Sequence, residues 1–402
     1  MNLFISIYEK KFQLNKFFLK SIFIISFITV AINFYKWLSR KAYFEYSDWL
    51  INYQGGLARR GFIGEVFFQI HNNLNLNLSY VVFFFVVLFY IIFFYLLYKK
   101  TTAIKLNFLN TLIIFSPLSF IYLAFHQTMA GRKEILFFSL IAIFFSYFNN
   151  LKFHQIKYWI ISISIIAGLT HSGFLFYIPY LVLFFAFFYS TKTKLEIFFQ
   201  IFPIGVFFVF IFGALIFSTT ISKPDIKLIC DSINLYVNKC PEETYLILFK
   251  NYSNKELFFL VMGSVLNFNY LIKYPIYFII SFAPLYVGFK NFKNLDKNFK
   301  IKKLIFYLIF CTFCTIPVFL LGEDYGRYIH WQYIIILFIY LHCLSSRKFF
   351  QNDKNYFFNK KIKKYILFIV LYFYSFFWSV PIYGPANIKI LGVYKNLFSA
   401  FF

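Results

Sequence analysis

Long apolar runs alternate with short polar, lysine-rich segments along most of the chain. A helix needs about 20 apolar residues, at about 1.5 Å each, to cross the hydrocarbon layer of a bilayer. On that basis the pattern predicts about eleven spans, over 18–37, 80–98, 105–125, 133–149, 157–170, 172–190, 197–219, 273–289, 303–321, 329–345 and 364–381. Gly168, Gly173 and Pro179 interrupt 157–190, which therefore reads as two spans or as one broken helix. Segment 256–271 is apolar but carries Asn267 and Asn269, and fits a re-entrant or interfacial helix better than a crossing. The expected fold is an all-α polytopic membrane protein, one integral domain over 1–402. Two hydrophilic stretches interrupt it, 38–79 and 220–255. No repeat and no Pro/Gly/Ser-rich linker divides the chain.

Composition agrees with this reading. Apolar side chains make up 61% of the 402 residues and charged ones only 14%, with 66 Phe and 33 Tyr. A soluble domain carries about 25% charged residues, so a soluble enzyme and a disordered chain are both excluded. The formal net charge of +25 would suggest nucleic acid in a soluble protein. Its distribution instead follows the loops. With the N-terminus inside, 24 Lys and Arg fall on the cytoplasmic side and 16 on the other. The positive-inside rule then predicts a cytoplasmic N-terminus and an extracytoplasmic C-terminus. The first span is followed by Lys36-Trp37-Leu38-Ser39-Arg40-Lys41, where a signal peptide would have small residues, so it reads as a signal anchor. Cys230 and Cys240 lie in the outer stretch 220–255, where an oxidising compartment allows a disulfide. The pair is either bonded or two unrelated thiols. Cys311 and Cys314, inside an apolar helix, read as packing residues.

Lys outnumbers Arg 34 to 6, so each Arg is an unusual choice. Five of the six (Arg40, Arg59, Arg60, Arg132 and Arg327) fall at the outer side; only Arg347 is cytoplasmic. Lys already carries the topology signal. Guanidinium adds a planar fork that grips phosphate or carboxylate oxygens in pairs. The outer Arg therefore point to an anionic ligand or, alternatively, to interfacial anchors and structural ion pairs.

Four polar clusters fall on that same face. The first outer loop holds Glu45, Asp48, Gly55, Gly56, Arg59, Arg60, Gly61, Gly64 and Glu65. Its glycine pair permits a tight turn or close ligand approach. Leu57, Phe62, Ile63 and Phe67 give the following residues an amphipathic helical pattern at the membrane surface. Gly61 and Gly64 would let that helix pack closely on a span. The second cluster is His126-Gln127-Thr128-Met129-Ala130-Gly131-Arg132-Lys133-Glu134. Its basic pair opens the next helix, against the macrodipole, and Glu134 or a bound anion would offset it. The third is Leu321-Gly322-Glu323-Asp324-Tyr325-Gly326-Arg327-Tyr328-Ile329-His330-Trp331. Charges packed this closely at membrane depth are costly unless partnered, and read as functional. The fourth is His171, at the outer end of its span; a lone His is as readily a hydrogen-bonded core residue.

An outer cleft with Arg pairs, carboxylates and His suits a lipid-linked anionic substrate. Arg would neutralise a departing pyrophosphate while a carboxylate or His takes the acceptor's proton. No His/Asp/Glu spacing matches a metal-site template and no cofactor is expected, although Glu323-Asp324 could hold a hard divalent cation. The Gly55-Gly56-x-x-Arg59-Arg60-Gly61-x-x-Gly64-Glu65 loop, the Arg132-Lys133-Glu134 turn, His171 and the acid-x-Gly-Arg327 turn resemble those of multi-spanning bacterial surface-polysaccharide proteins. That family comprises the O-antigen and capsule repeat-unit polymerases. The resemblance implies a bacterial inner-membrane enzyme that polymerises undecaprenyl-pyrophosphate-linked oligosaccharide units at the extracytoplasmic face. It also implies contact with membrane lipid and with a polysaccharide chain-length regulator, and none with nucleic acid. Arg59, Arg60, Arg132, Lys133, Arg327 and His330 would bind pyrophosphate. Asp48, Glu323, Asp324 and His171 would supply the base, and Gly55, Gly56, Gly61, Gly64, Glu65 and Glu134 would shape the loops. A GT-C-type transferase using a polyprenyl-phosphate sugar is the alternative, since such enzymes resemble this layout in placing an acid in the first outer loop. A flippase or transporter is the non-enzymatic alternative.

Overall fold

The computed structural model describes residues 16–39, 46–126, 129–189, 192–220, 224–238, 240, 268–294, 301–320, 322, 324–346, 349–351, 364–382, 389–390 and 393–394. Arg40, Glu45 and Glu323 lie outside the described residues, as does most of segment 256–271. The chain forms helices α1 (Lys16–Ser39), α2 (Phe62–Leu74), α3 (Leu78–Thr102), α4 (Phe108–Ile114), α5 (Phe120–Phe125), α6 (Glu134–Tyr147), α7 (Phe153–Thr170) and α8 (Ile178–Phe188). There follow α9 (Lys194–Thr220), α10 (Ile226–Ile233), α11 (Phe268–Lys290), α12 (Ile301–Cys314), α13 (Ile316–Leu320), α14 (Tyr325–Ser345) and α15 (Lys364–Ser375). Two short antiparallel pairings, 292–294 with 349–351 and 378–379 with 389–390, are the only sheet among the described residues.

Six described helices are long and apolar enough to cross a membrane: Leu19–Ser39, Leu78–Thr102, Lys194–Gly213, Ile272–Lys290, Ile301–Leu320 and Tyr325–Ser345. The other expected spans are shorter or broken. Segment 105–125 splits into α4 and α5 at Ser116-Pro117, because proline has no N–H to continue the helix. Segment 157–190 is two helices, α7 and α8, joined by a 3₁₀ helix over Ser172–Tyr177. The last apolar segment leaves the helix at Ser375 and enters a strand at Trp378.

A broken helix at membrane depth is tolerable only where protein covers it, and α14 does so. This helix is buried almost along its whole length. Its polar side chains serve its neighbours: Tyr333 Oη donates to the Ile113 carbonyl at 2.7 Å, and His330 Nδ1 donates to the Leu118 carbonyl at 2.8 Å. Both acceptors lie around the α4–α5 break. Lower down, Tyr340 Oη donates to Asn110 Oδ1 at 2.7 Å. Around this post α14 packs on α6 and α11, α3 on α6 and α1, α7 on α9, and α8 on α12. Helix starts follow local chemistry. Asn77, Asn107 and Asp225 cap α3, α4 and α10 by accepting backbone N–H groups. Outside lies a belt of exposed Phe, Ile and Val, including Phe198, Phe202, Val209 and Phe210 of α9 and Phe306 and Phe313 of α12. Such a surface suits lipid, not water. The chain is a helical membrane-embedded protein.

Candidate functional site

Residues 46–61 are built against the segment that carries α10. Residues 46–61 carry a 3₁₀ helix over Ser47–Leu50, then turn at Gly56, whose φ of +108° suits glycine. Gly55 sits so close to the Asp225 carbonyl oxygen that a Cβ would lie 2.1 Å from it. The Asp225 N–H donates to the Gly55 carbonyl at 2.8 Å, and Asn52 Nδ2 donates to Ser232 Oγ, also at 2.8 Å. Cys230 and Cys240 are disulfide-bonded, with Cα atoms 5.6 Å apart. This resolves the open alternative for that pair. The amphipathic helix forms as expected in α2, which buries Ile63 and Phe67. Gly61 and Gly64 do not face a span, however: Gly61 abuts the Tyr53 ring, and Gly64 abuts the carbonyls of Ile51 and Trp49. Their smallness closes the loop on itself. Glu65 completes that closure by accepting the Tyr53 N–H at 2.8 Å and Gln69 Nε2 at 2.6 Å.

The turn before α6 is pinned from two sides. Trp49 Nε1 donates to the Gly131 carbonyl, and the Gly131 N–H donates to Tyr90 Oη at 2.9 Å. This brings Lys133 under the first loop. Its Nζ donates to the Arg60 carbonyl at 2.8 Å and lies 3.7 Å from Asp48 Oδ1. Arg60 itself holds a left-handed backbone, φ +70°, a conformation that costs an ordinary residue about 1–2 kcal/mol. Strain of this kind collects at functional sites.

Arg327, at the start of α14, forms the other wall. Its Nε donates to Glu134 Oε1, and its Nη1 donates to Asp324 Oδ2 at 2.7 Å. Glu134 heads α6, where its charge also suits the helix N-terminus. The guanidinium carbon lies 5.2 Å over the Trp331 ring, one helical turn on. Nη2 lies 3.5 Å from His171 Nε2, and His171 Nδ1 accepts the Gly173 N–H at 3.2 Å. A second positive charge on that imidazole would face the guanidinium, so the ring stays neutral.

Among the described residues Lys133 faces Asp48, and Glu134 and Asp324 both hold Arg327. Among the described residues the Arg59 and Arg60 guanidiniums have neither an ion pair nor a hydrogen bond, and both Nε atoms are buried. Burial, and then its neighbour Arg60, push Arg59 down to about 10. Burial likewise pushes Lys133 down to about 8, against the pull of Asp48. Burial alone would raise Asp48, but Lys133, Arg60, Arg327 and Arg132 outweigh it and hold the carboxyl below its usual range. Asp48 is thus a carboxylate at neutral pH. Asp48 Oδ1, Glu134 Oε2, Thr170 Oγ1, Tyr122 Oη and Trp331 Nε1 are buried with no hydrogen-bond partner.

Sequence-expected residues from three stretches therefore converge: Asp48, Arg59 and Arg60; Arg132, Lys133 and Glu134; Asp324 and Arg327, with His171 beside them. His330 instead serves the α4–α5 break, its ring between Tyr122 and Phe138. Glu65 and the loop glycines shape the first loop. Trp331 closes the third cluster but had no expected role, and Tyr122 was not among the expected residues. The Arg327-x-x-x-Trp331 spacing puts the indole one turn from the guanidinium and is a legible signal. Tyr122 carries none. Among the described residues no group of three or more His, Cys, Asp or Glu is placed to hold a metal ion. Compared with family models, curated proteins and solved structures, the chain matches none.

Proposed function

We propose that this cluster binds the pyrophosphate of a lipid-linked oligosaccharide. On this reading the chain is a membrane glycosyltransferase that polymerises undecaprenyl-pyrophosphate-linked repeat units at the extracytoplasmic face. The observation that carries the reading is the pair of guanidiniums, Arg59 and Arg60, that have no ion pair or hydrogen bond among the described residues. Half-buried cations whose Nε atoms are shielded from water and lack a protein anion are costly, and a diphosphate would supply the missing charge. The disulfide in the outer loop supports an oxidising compartment on that side, in line with the N-in orientation.

The transfer balances simply. The acceptor hydroxyl oxygen bonds to the anomeric carbon as the bond from that carbon to the pyrophosphate oxygen breaks. The hydroxyl proton goes to Asp48 or His171, and the lipid pyrophosphate leaves, its developing charge met by Arg59, Arg60 and Arg327. A second reading, a GT-C-type transferase using a polyprenyl-phosphate sugar, is favoured by one feature. Asp48, in the first outer loop, is ionised and keeps Oδ1 free of hydrogen bonds.

Arg59, Arg132 and Arg327 replaced singly by Lys, with surface glycan chain length followed, tests the proposal. Single-unit glycans without long chains support polymerisation. Loss of even the first unit favours the single-sugar transferase or a flippase. Unchanged glycans in all three variants sink the site.

A further inference from the structure

An apolar groove lies on the other side of α14 from the guanidinium of Arg327. Its upper hollow, about 370 Å³, is bounded by Tyr274 and Phe278 of α11, Phe319 of α13, and Tyr325, Ile329 and Gln332 of α14. A second hollow of about 170 Å³ continues it downward between α11 and α12 as far as Ile336, sharing Phe278, Thr312 and Gln332. From Tyr325 to Ile336 the groove follows α14 for about 16 Å at about 1.5 Å per residue, or about half the hydrocarbon layer.

The groove meets the cationic cluster at its upper end. Tyr325 is the neighbour of Asp324, which pairs with Arg327 at 2.7 Å. Phe319 packs edge-on against Tyr328, with centroids 5.5 Å apart, and the Tyr328 phenol lies near enough to feel Arg327 and Arg60. On the membrane side Ile316 and Leu320 are 44% and 36% exposed, which leaves the hollow open to the lipid layer. Some polar groups in the wall are already used, while Gln332 Oε1 is buried with no hydrogen-bond partner among the described residues. Gln332 Nε2 donates to Thr312 Oγ1 at 2.6 Å, Thr312 Oγ1 donates to the Leu308 carbonyl at 3.0 Å, and Thr315 Oγ1 donates to the Thr312 carbonyl at 2.7 Å.

We propose that this groove holds the proximal tail of a single-chain polyprenyl phosphate whose head enters the cationic cluster. The inference rests on the head-group reading above and adds a place for the lipid. Charge complementarity selects an anionic head, since the groove opens beside the cluster that holds Arg59 and Arg60, which have no ion pair among the described residues. The single track selects one chain: a glycerophospholipid with the same head would have to leave its second chain outside. In a bilayer the tail gains nothing from leaving water, so selection comes from close packing against the ring-lined wall.

The test uses the full-length protein in nanodiscs, with undecaprenyl phosphate, dioleoyl phosphatidic acid and inorganic pyrophosphate as probes. Ile316→Trp and Leu320→Trp fill the mouth at lipid-exposed positions and leave the fold intact. Undecaprenyl phosphate should bind each about tenfold more weakly than wild type, while inorganic pyrophosphate binds all three alike. A diazirine-tailed polyprenyl phosphate should crosslink within 268–290 and 301–320. Crosslinks confined to α1, α3 or α9, or equal displacement of the probe by dioleoyl phosphatidic acid, would overturn the groove. Failure of the head reading looks different: inorganic pyrophosphate would fail to bind wild type, or would bind Arg59→Gln unchanged, whatever the crosslinks report.

Discussion

Replacing Arg59 by Gln should make the protein more stable and less able to bind an anion. The guanidinium is partly exposed, its Nε is buried, and no described residue offers it an acceptor. Burial and Arg60 hold it at about 10, below the usual arginine value. At about 1.36 kcal/mol per pH unit, the charged form is about 3 kcal/mol worse off than in water. Partial exposure reduces that to about 1–2 kcal/mol. The sign follows from linkage. Below pH 10 the side chain is protonated folded and unfolded, so the whole penalty is present at neutral pH and fades only above about 10. Glutamine removes the charge and keeps hydrogen-bonding capacity. The midpoint of thermal unfolding in detergent should therefore rise by about 2 °C, while the further rise produced by inorganic pyrophosphate in wild type should vanish. A loss of stability on Arg59→Gln would mean that the guanidinium is a structural anchor. Retained stabilisation by pyrophosphate would mean that the anion site lies elsewhere. Either result refutes the reasoning.

Arg327→Lys should act in the opposite direction, because an ammonium cannot hold the fork between Glu134 and Asp324. One lost charge-assisted bond predicts about 1.5–3 kcal/mol of destabilisation, read by thermal unfolding. Pyrophosphate affinity should fall as pH rises from 7 to 9, since Lys133, held at about 8, loses its proton across that range. Isothermal titration of Lys133→Met should remove that pH dependence. Gly64→Ala would set a Cβ 1.9 Å from the Ile51 carbonyl oxygen. It should cost about 2–3 kcal/mol, seen as a lower unfolding midpoint and faster proteolysis of 46–61. Reducing the Cys230–Cys240 bond, which closes a ten-residue separation, should cost about 2–3 kcal/mol on loop entropy. It should also weaken pyrophosphate binding, because Asp225 and Ser232 hold the first loop; hydrogen exchange over 46–61 would report the loosening.

Hydropathy and composition, which are sums over neighbours in the chain, were enough to place this protein in a membrane and to mark its polar clusters. They also marked the amphipathic helix after Gly61, since a 3.6-residue period is local. The amino-acid sequence put the rare Arg beside acids, and Arg59, Arg60, Arg132 and Arg327 do belong to one cluster. What it did not hold was partnership. Glu134 stands beside Arg132 and Lys133 in the chain, yet its Oε1 accepts from Arg327, 193 residues away. His330 resembles a ligand for the same anion until the α4–α5 break claims it. Helix length escaped for the same reason, because the largely apolar segment 105–125 breaks at Pro117 only where α14 can satisfy the freed carbonyls. Local sequence determined which segments carry the clustered charge. The tertiary structure decided which charges cancel, because pairing depends on distances across helices that no spacing along the chain encodes, and it left Arg59 and Arg60 over.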